Sequence, residues 1–285
     1  MRLFALLGAL LVAACTHLAP TAAGPVRAMT FNIRLDIPSD GANAWPRRRS
    51  MVADLIRHEA PDVLGMQEVL LAQKQYLEAA LPGYTFAGVG RDDGADKGEF
   101  SPLAWRSDRF AMLASGTFWL SPTPDQPGKG WDAAYPRVAT WAMLRDRRTG
   151  ATIRVLNTHF DHVGPVARAS AARMIAQWVV GGDVPAIVLG DFNAAPDSEP
   201  YRILADTARS GLTDARAISE AVPYGPPGTF TAFDIAAAAP APIDHVFVTR
   251  GLAVARHAVV TQHWEGRLPS DHYPVVVDLL PKPDR

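Results

Sequence analysis

Short β-rich runs that break off at an acidic or amide side chain, or at histidine, recur along this chain and constrain its fold more than any other feature. Residues 26–34 (VRAMTFNIR) alternate and carry Asn32, and the buried-strand pattern DVLGMQ at 62–67 runs straight into Glu68. VLNTH closes on His159 with Asp161 just beyond, and IVLG is followed by Asp191 and Asn193. Asp244 and His245 open another run, and Asp271-His272 precede YPVVVDLL. Further strands are predicted at 84–89, 102–105, 110–120, 137–144, 151–160, 186–189, 243–249, 257–264 and 273–280. Helical spacing is predicted at 46–58, 70–80, 166–180 and 199–205. Strands outnumber helices, and the helices fall in both halves. The pattern therefore predicts two sheets packed face to face, each covered by helices, in one domain from residue 26 to 285.

One strand-end Asp or Asn ordinarily makes a turn or caps a helix. Several beside apolar strands imply side chains converging on one edge of the sandwich. Converging carboxylates repel unless a cation lies among them. The chain has a single Cys, so no thiolate cluster competes and oxygen ligands dominate. A hard cation such as Mg²⁺ fits that donor set. Glu68 is the best direct ligand, with Asn32 beside it, and a His next to an Asp suits proton transfer or charge stabilisation. With no nucleophilic Ser or Cys motif, this set points to direct attack of water on phosphorus.

The chain holds 28 Lys+Arg against 29 Asp+Glu, a net charge of -1, without the basic excess expected of a protein that grips nucleic acid through phosphates. At the N-terminus, an apolar run over residues 3–14 is too short to span a bilayer comfortably and suits an export signal. Small residues before the only Cys resemble a bacterial lipoprotein signal. Residues 1–14 are accordingly expected to be a signal peptide, Cys15 the lipidated residue and 15–25 a tether. The expected location is periplasmic or anchored in the outer membrane, with the membrane contact made by lipid and no protein partner implied.

Six segments, MTFNIR (29–34), GMQEV (65–69), NTHFDH (157–162), VLGDFNAAPDSEP (188–200), PIDHVFV (242–248) and PSDHYPVVVDL (269–279), resemble the endonuclease/exonuclease/phosphatase (DNase I-like) superfamily, in the family's order. GDFN and SDHYPV are the most specific. The resemblance implies a four-layer α/β/β/α sandwich with two mainly antiparallel sheets, and hydrolysis of a phosphoester with Mg²⁺ or Mn²⁺. It implies Glu68 as principal metal ligand supported by Asn32, with Asp271 near the metal. Asp191 then aligns or deprotonates water, Asn193 contacts phosphate or a second metal, and His272 binds phosphate or moves a proton, oriented by Asp244. His159 resembles the second phosphate-contacting histidine. Repair-type relatives carry an acid two positions after the first Asn, where Arg34 stands here, which argues against an abasic-site enzyme.

Around this set, Glu99, Arg137 and Asp161 are candidates for binding substrate or holding loops. His245 is expected as a partly buried strand residue. Arg47-Arg48-Arg49 is expected as a solvated face, and Trp45, Trp119, Trp131 and Phe233 as core. The leading expectation is an exported phosphoester hydrolase, mono- or diester. An extracellular nuclease and a non-enzymatic binding lipoprotein are the alternatives. Specificity is expected to lie in the loops 91–100, 122–135 and 223–234.

Overall fold

The computed structural model describes residues 24–237 and 240–282; the expected signal peptide and Cys15 lie outside them. Twelve strands form two six-stranded sheets. They are β1 (Val26–Asn32), β2 (Val63–Gln67), β3 (Tyr84–Ala87), β4 (Leu103–Arg106), β5 (Phe110–Trp119), β6 (Val138–Asp146), β7 (Thr152–His159), β8 (Ala186–Asp191), β9 (Leu212–Asp214), β10 (Asp244–Thr249), β11 (Leu252–Val259) and β12 (Val275–Pro281). The first sheet has the order β11-β12-β1-β2-β4-β3 and the second β5-β6-β7-β8-β10-β9. Each has one parallel pair, β1/β2 or β7/β8, among antiparallel neighbours. Helix α1 (Trp45–Glu59) makes the first parallel crossover and α3 (Pro165–Val180) the second; α2 (Leu71–Ala80) and α4 (Glu199–Ala205) complete the two outer layers.

The alternation within strands explains the layering. Val26, Ala28, Val63, Val275 and Val277 face inward against Val155, Ile187, Leu189, Val246 and Val248 of the other sheet. The intervening Met29, Phe31, Leu64, Met66 and Val276 pack outward on Val52, Leu55, Ile56 and Leu77 of α1 and α2. On the far side Leu156, Val188 and Phe247 pack on Ala172, Ile175 and Val179 of α3. Central strands buried on both faces read as near-continuous apolar runs, as MTF, AIVL and VFV do. This is the α/β/β/α sandwich implied by the motifs.

Three expectations are corrected. The strand expected at 257–264 is Leu252–Val259. A bulge between Val254 and Arg256 breaks the alternation, so a regular pattern starts only after it. Arg48 is not a solvated residue of a basic run. It is fully buried and donates to the carbonyls of Ile33, Arg34, Leu35, Asn43 and Pro269. Burial lowers its pKa to about 10. It ties the segment after β1 to the one before Asp271. Trp131, expected in the core, is exposed, whereas Trp45 and Trp119 are buried as expected; His245, expected as a partly buried strand residue, lies on β10 and is fully buried.

Candidate active site

Strand register assembles the centre. On the second sheet, His159 at the end of β7 pairs with Asp191 at the end of β8, and Asp191 pairs with Asp244 at the start of β10. Three chemically active side chains thus share one cross-strand row. The first sheet brings Asn32 at the end of β1, Glu68 one residue past β2, and Asp271 and His272 shortly before β12. Both parallel pairs end at the same edge of the sandwich, where ligands of parallel strands ordinarily bind.

His272 links the two sheets. Its Nδ1 lies 2.8 Å from Asp244 Oδ2 and its Nε2 3.8 Å from Asp191 Oδ2. Burial alone would push the imidazole down. The ion pair with Asp244, joined by Asp191 and Asp271, overturns that and raises it to about 10. At neutral pH it is an imidazolium donating Nδ1–H to Asp244. Burial, reinforced by Asp244, pushes Asp191 the other way from an ordinary carboxylate, up to about 7. Asn32 donates Nδ2–H to both Glu68 Oε1 and Asp191 Oδ2, each at 3.0 Å, and clamps the two carboxylates.

His159 is held neutral: burial, helped by Arg137 and Arg91, drives it well below its ordinary value. Asn193 donates Nδ2–H toward His159 Nε2 at 3.1 Å and toward the Phe160 carbonyl. The remaining proton therefore sits on Nδ1, which faces Glu99 Oε2 at 3.9 Å. The two histidines thus differ in charge: His272 is cationic against Asp244, His159 neutral near Glu99. Arg34 stands beside the carboxylates, bidentate to Asp40, 3.9 Å from Glu68 Oε2 and 3.8 Å from Asp271 Oδ2. Glu68, Asn193 and Arg34 all take left-handed backbone (φ 61°, 45° and 57°), strain of the kind that gathers at functional sites.

A buried amide fixes the two half-sites against each other. Asn157 on β7 donates to the carbonyls of Met66 and Pro102, and its Oδ1 accepts from Gln67 Nε2 at 2.6 Å. All three partners belong to the first sheet or the loop before β4. Gly65 makes room, because a Cβ there would lie 2.6 Å from Asn157 Oδ1. Apolar layers alone can slide; this directional contact sits one residue from Glu68 and two from His159.

Above this floor opens a cleft of about 820 Å³. Its wall is drawn from all three loops expected to carry specificity: Arg91 and Glu99, Tyr135, and Phe230 with Phe233. Arg91 Nη2 pairs with Glu99 at 2.8 Å, and Arg137 reaches Asp161 Oδ2 and His162 Nδ1. Burial opposes charge on Asp161, yet backbone N–H groups from Gly164, Ala134 and Val163 pull it down to about 2. The expected residues therefore gather in and around one cleft, with Asn32, Asp161 and Asp244 set behind it. Reading the sequence missed Arg91, Tyr135 and Phe230, and missed Arg48 and Asn157 as supports.

The profile of the Endonuclease/Exonuclease/phosphatase family matches residues 29–272, which spans every strand-end residue of the floor. The chain belongs to that family. Among solved members, it is 40% identical to an endonuclease/exonuclease/phosphatase from Bacteroides vulgatus, covering 91% of this chain and 100% of that one with a TM-score of 0.84. It is 36% identical to the mannosyl-6-phosphatase Bt3783 of Bacteroides thetaiotaomicron, covering 90% and 99% with a TM-score of 0.85. Protein L388 of Acanthamoeba polyphaga mimivirus is 24% identical over 180 residues, 60% of this chain and 65% of that one. The chain spans less than two thirds of the length of the curated relatives it matches. Members of this family are phosphoester hydrolases.

Proposed function

We propose that the chain is an exported, divalent-cation-dependent phosphomonoesterase in which water attacks phosphorus directly. The observation that carries this is the charge-separated floor: an imidazolium at His272 and a carboxylate of raised pKa at Asp191, 3.8 Å apart, beside Glu68 and Asp271. Asp191 accepts the proton of the attacking water, which its raised basicity favours. His272, held in orientation by Asp244, donates Nε2–H to the phosphoryl group as charge builds, and that proton passes to the leaving alkoxide as its bond to phosphorus breaks. Asn193 and Asn32 fix His159 and Asp191. His159, neutral, lines the cleft as a contact to the phosphoryl oxygens.

The donor set fits Mg²⁺ or Mn²⁺. Glu68 and Asp271 bring hard oxygen ligands, and their carboxylates already crowd a cationic group, Arg34. Asp191, Asp244 and His272 also offer ligand atoms within 4.8 Å of one another. His272 and Asp244 satisfy each other by hydrogen bonding, however, so the cation is assigned to Glu68 with Asp271. When bound, it polarises the phosphoryl oxygen and offsets developing negative charge.

A monoester is favoured over a polynucleotide. The cations of the cleft are committed: Arg34 to Asp40, Arg91 to Glu99, Arg137 to Asp161. No free basic track remains among the described residues lining the cleft. The phosphatase activity named for the Bacteroides relative supports the same choice. Export, with lipid on Cys15, belongs to this proposal; radiolabelled palmitate incorporation lost in Cys15→Ser tests it. For the chemistry, phosphate release from a panel of monoesters and from plasmid DNA is measured with Mg²⁺, Mn²⁺ and EDTA. Cation-dependent release from monoesters, lost in His272→Ala, is expected. Cleavage of DNA alone returns the nuclease reading. Tight binding without turnover returns the binding-lipoprotein reading.

A further inference from the structure

Asp244 opens β10 of the second sheet and His272 leads into β12 of the first, and no ladder joins β10 to β12. Their 2.8 Å contact therefore needs another support. The segment 229–233 (TFTAF) bonds to both sides of it. Thr229 Oγ1 accepts the backbone N–H groups of Ile243 at 3.1 Å and Asp244 at 3.3 Å. The Thr229 carbonyl accepts the N–H of Tyr273 at 2.7 Å. One residue thus grips the chain at Asp244 and beside His272. Phe230 makes an antiparallel bridge with His272 itself. Thr231 gives both its N–H, at 2.7 Å, and its hydroxyl, at 2.9 Å, to the Asp271 carbonyl.

The segment has two faces. Phe230, Ala232 and Phe233 line the cleft, whereas Thr229 and Thr231 are 0% and 2% exposed and stand outside its lining. Thr229 is thus walled off from substrate. Ala232 and Phe233 both take left-handed backbone, φ 53° and 65°. Such residues persist where their surroundings hold them. Here Thr231 Oγ1 accepts the Phe233 N–H at 3.2 Å, and the Phe233 ring stands 5.7 Å from the Arg48 guanidinium. Arg48 in turn donates to the Pro269 carbonyl, just before Asp271.

We propose that residues 229–231 are a positioning strap for the hydrolysis, with Thr229 at its centre: its hydroxyl and carbonyl together set Asp244 against His272. The proposal rests on the phosphomonoesterase reading, in which Asp244 orients His272. A shift of the contact carries His272 Nε2 off the phosphoryl group, and a misplacement of about 1 Å costs up to about 10²-fold in rate. Valine at 229 keeps the shape and removes the acceptor, so the N–H groups of Ile243 and Asp244 lose their partner. Serine keeps it.

The test uses the full chain, unaltered and as Thr229→Val and Thr229→Ser, with two readouts. One is phosphate release from phenyl phosphate, ethyl phosphate and the rest of the monoester panel with Mg²⁺. The other is the low-field ¹H NMR resonance of His272 Nδ1–H in the metal-free protein, assigned by its loss in His272→Gln. Thr229→Val is expected to lower kcat about tenfold, keep KM within about twofold and move the resonance upfield as the bond to Asp244 lengthens, while Thr229→Ser keeps all three. An unmoved resonance in Thr229→Val overturns the strap, as does a serine variant that fails as valine does. If Thr229→Val does not fold, Thr231→Val decides, since it retains the backbone N–H to Asp271. An upfield shift with kcat about threefold lower then supports the strap, and an unmoved resonance overturns it. Absence of release from every monoester overturns the phosphatase reading, and the resonance comparison alone then decides the strap.

Discussion

The floor of the cleft and its wall solve different problems with different materials. The floor is set by sheet register: His159, Asp191 and Asp244 occupy one row because their strands pair there. His159, Asp191 and His272 are buried, and their charges are pushed far from solution behaviour. The wall is built from loops, and its charges pair off locally: Arg91 with Glu99 and Arg137 with Asp161. Ladders hold geometry to fractions of an ångström, which bond-breaking needs. Loops tolerate change, which suits the choice of substrate. Lesions in the floor should therefore appear in kcat, and lesions in the wall in KM.

The largest effects belong to the floor. His272→Ala and Glu68→Ala should each lower kcat by about 10³–10⁴-fold with KM nearly kept, measured by steady-state phosphate release. Next is Asp244→Asn, with a loss of about 10²-fold and a shift in the pH profile. Turnover requires Asp191 deprotonated and His272 protonated, and the metal-free protein reports these two groups by themselves. Titration followed by NMR should show these groups changing near 7 and near 10. Asp244 raises both values, so removing its charge moves both limbs of the kcat/KM profile to lower pH. An unmoved alkaline limb would separate His272 from Asp244.

Asn157→Ala probes what joins the half-sites. It leaves two buried carbonyls and an amide without their partner and should cost about 3 kcal/mol of stability in denaturant titration. Because the two sheets then lose their fixed register, kcat should fall even at temperatures where the variant is fully folded. Asn157→Asp should not rescue it, since the lost donor is what the carbonyls need. The smallest effect is expected at Phe230, a 45% exposed ring edge-on to His272. Phe230→Ala should change KM about threefold and stability by under about 0.5 kcal/mol. A collapse of kcat there would erase the division between floor and wall.

The floor was legible in the sequence because its residues follow apolar strands, and a strand end is a place that pattern can find. GDFN and SDHYPV mark Asp191 and His272 whatever surrounds them. The wall was only half legible. Its loops were identifiable as loops, but Tyr135 and Arg91 meet through a fold that brings residues 91, 135 and 162 together, and no local period announces that. Arg48 misled for a related reason. A basic run at a helix start ordinarily faces water, yet here five carbonyls converge on its middle residue. The bulge in β11 and the three-residue β9 escaped because neither sustains an alternation long enough to count.

The central claim is that the floor drives water onto phosphorus with a divalent cation at Glu68 and Asp271. Hydrolysis of a turned-over phosphomonoester in ¹⁸O-labelled water tests it most directly, with Mg²⁺ and with EDTA, reading the label by mass spectrometry. The account predicts ¹⁸O in the released phosphate, none in the released alcohol, and no turnover in EDTA. Label in the alcohol, or turnover that persists in EDTA, would contradict it.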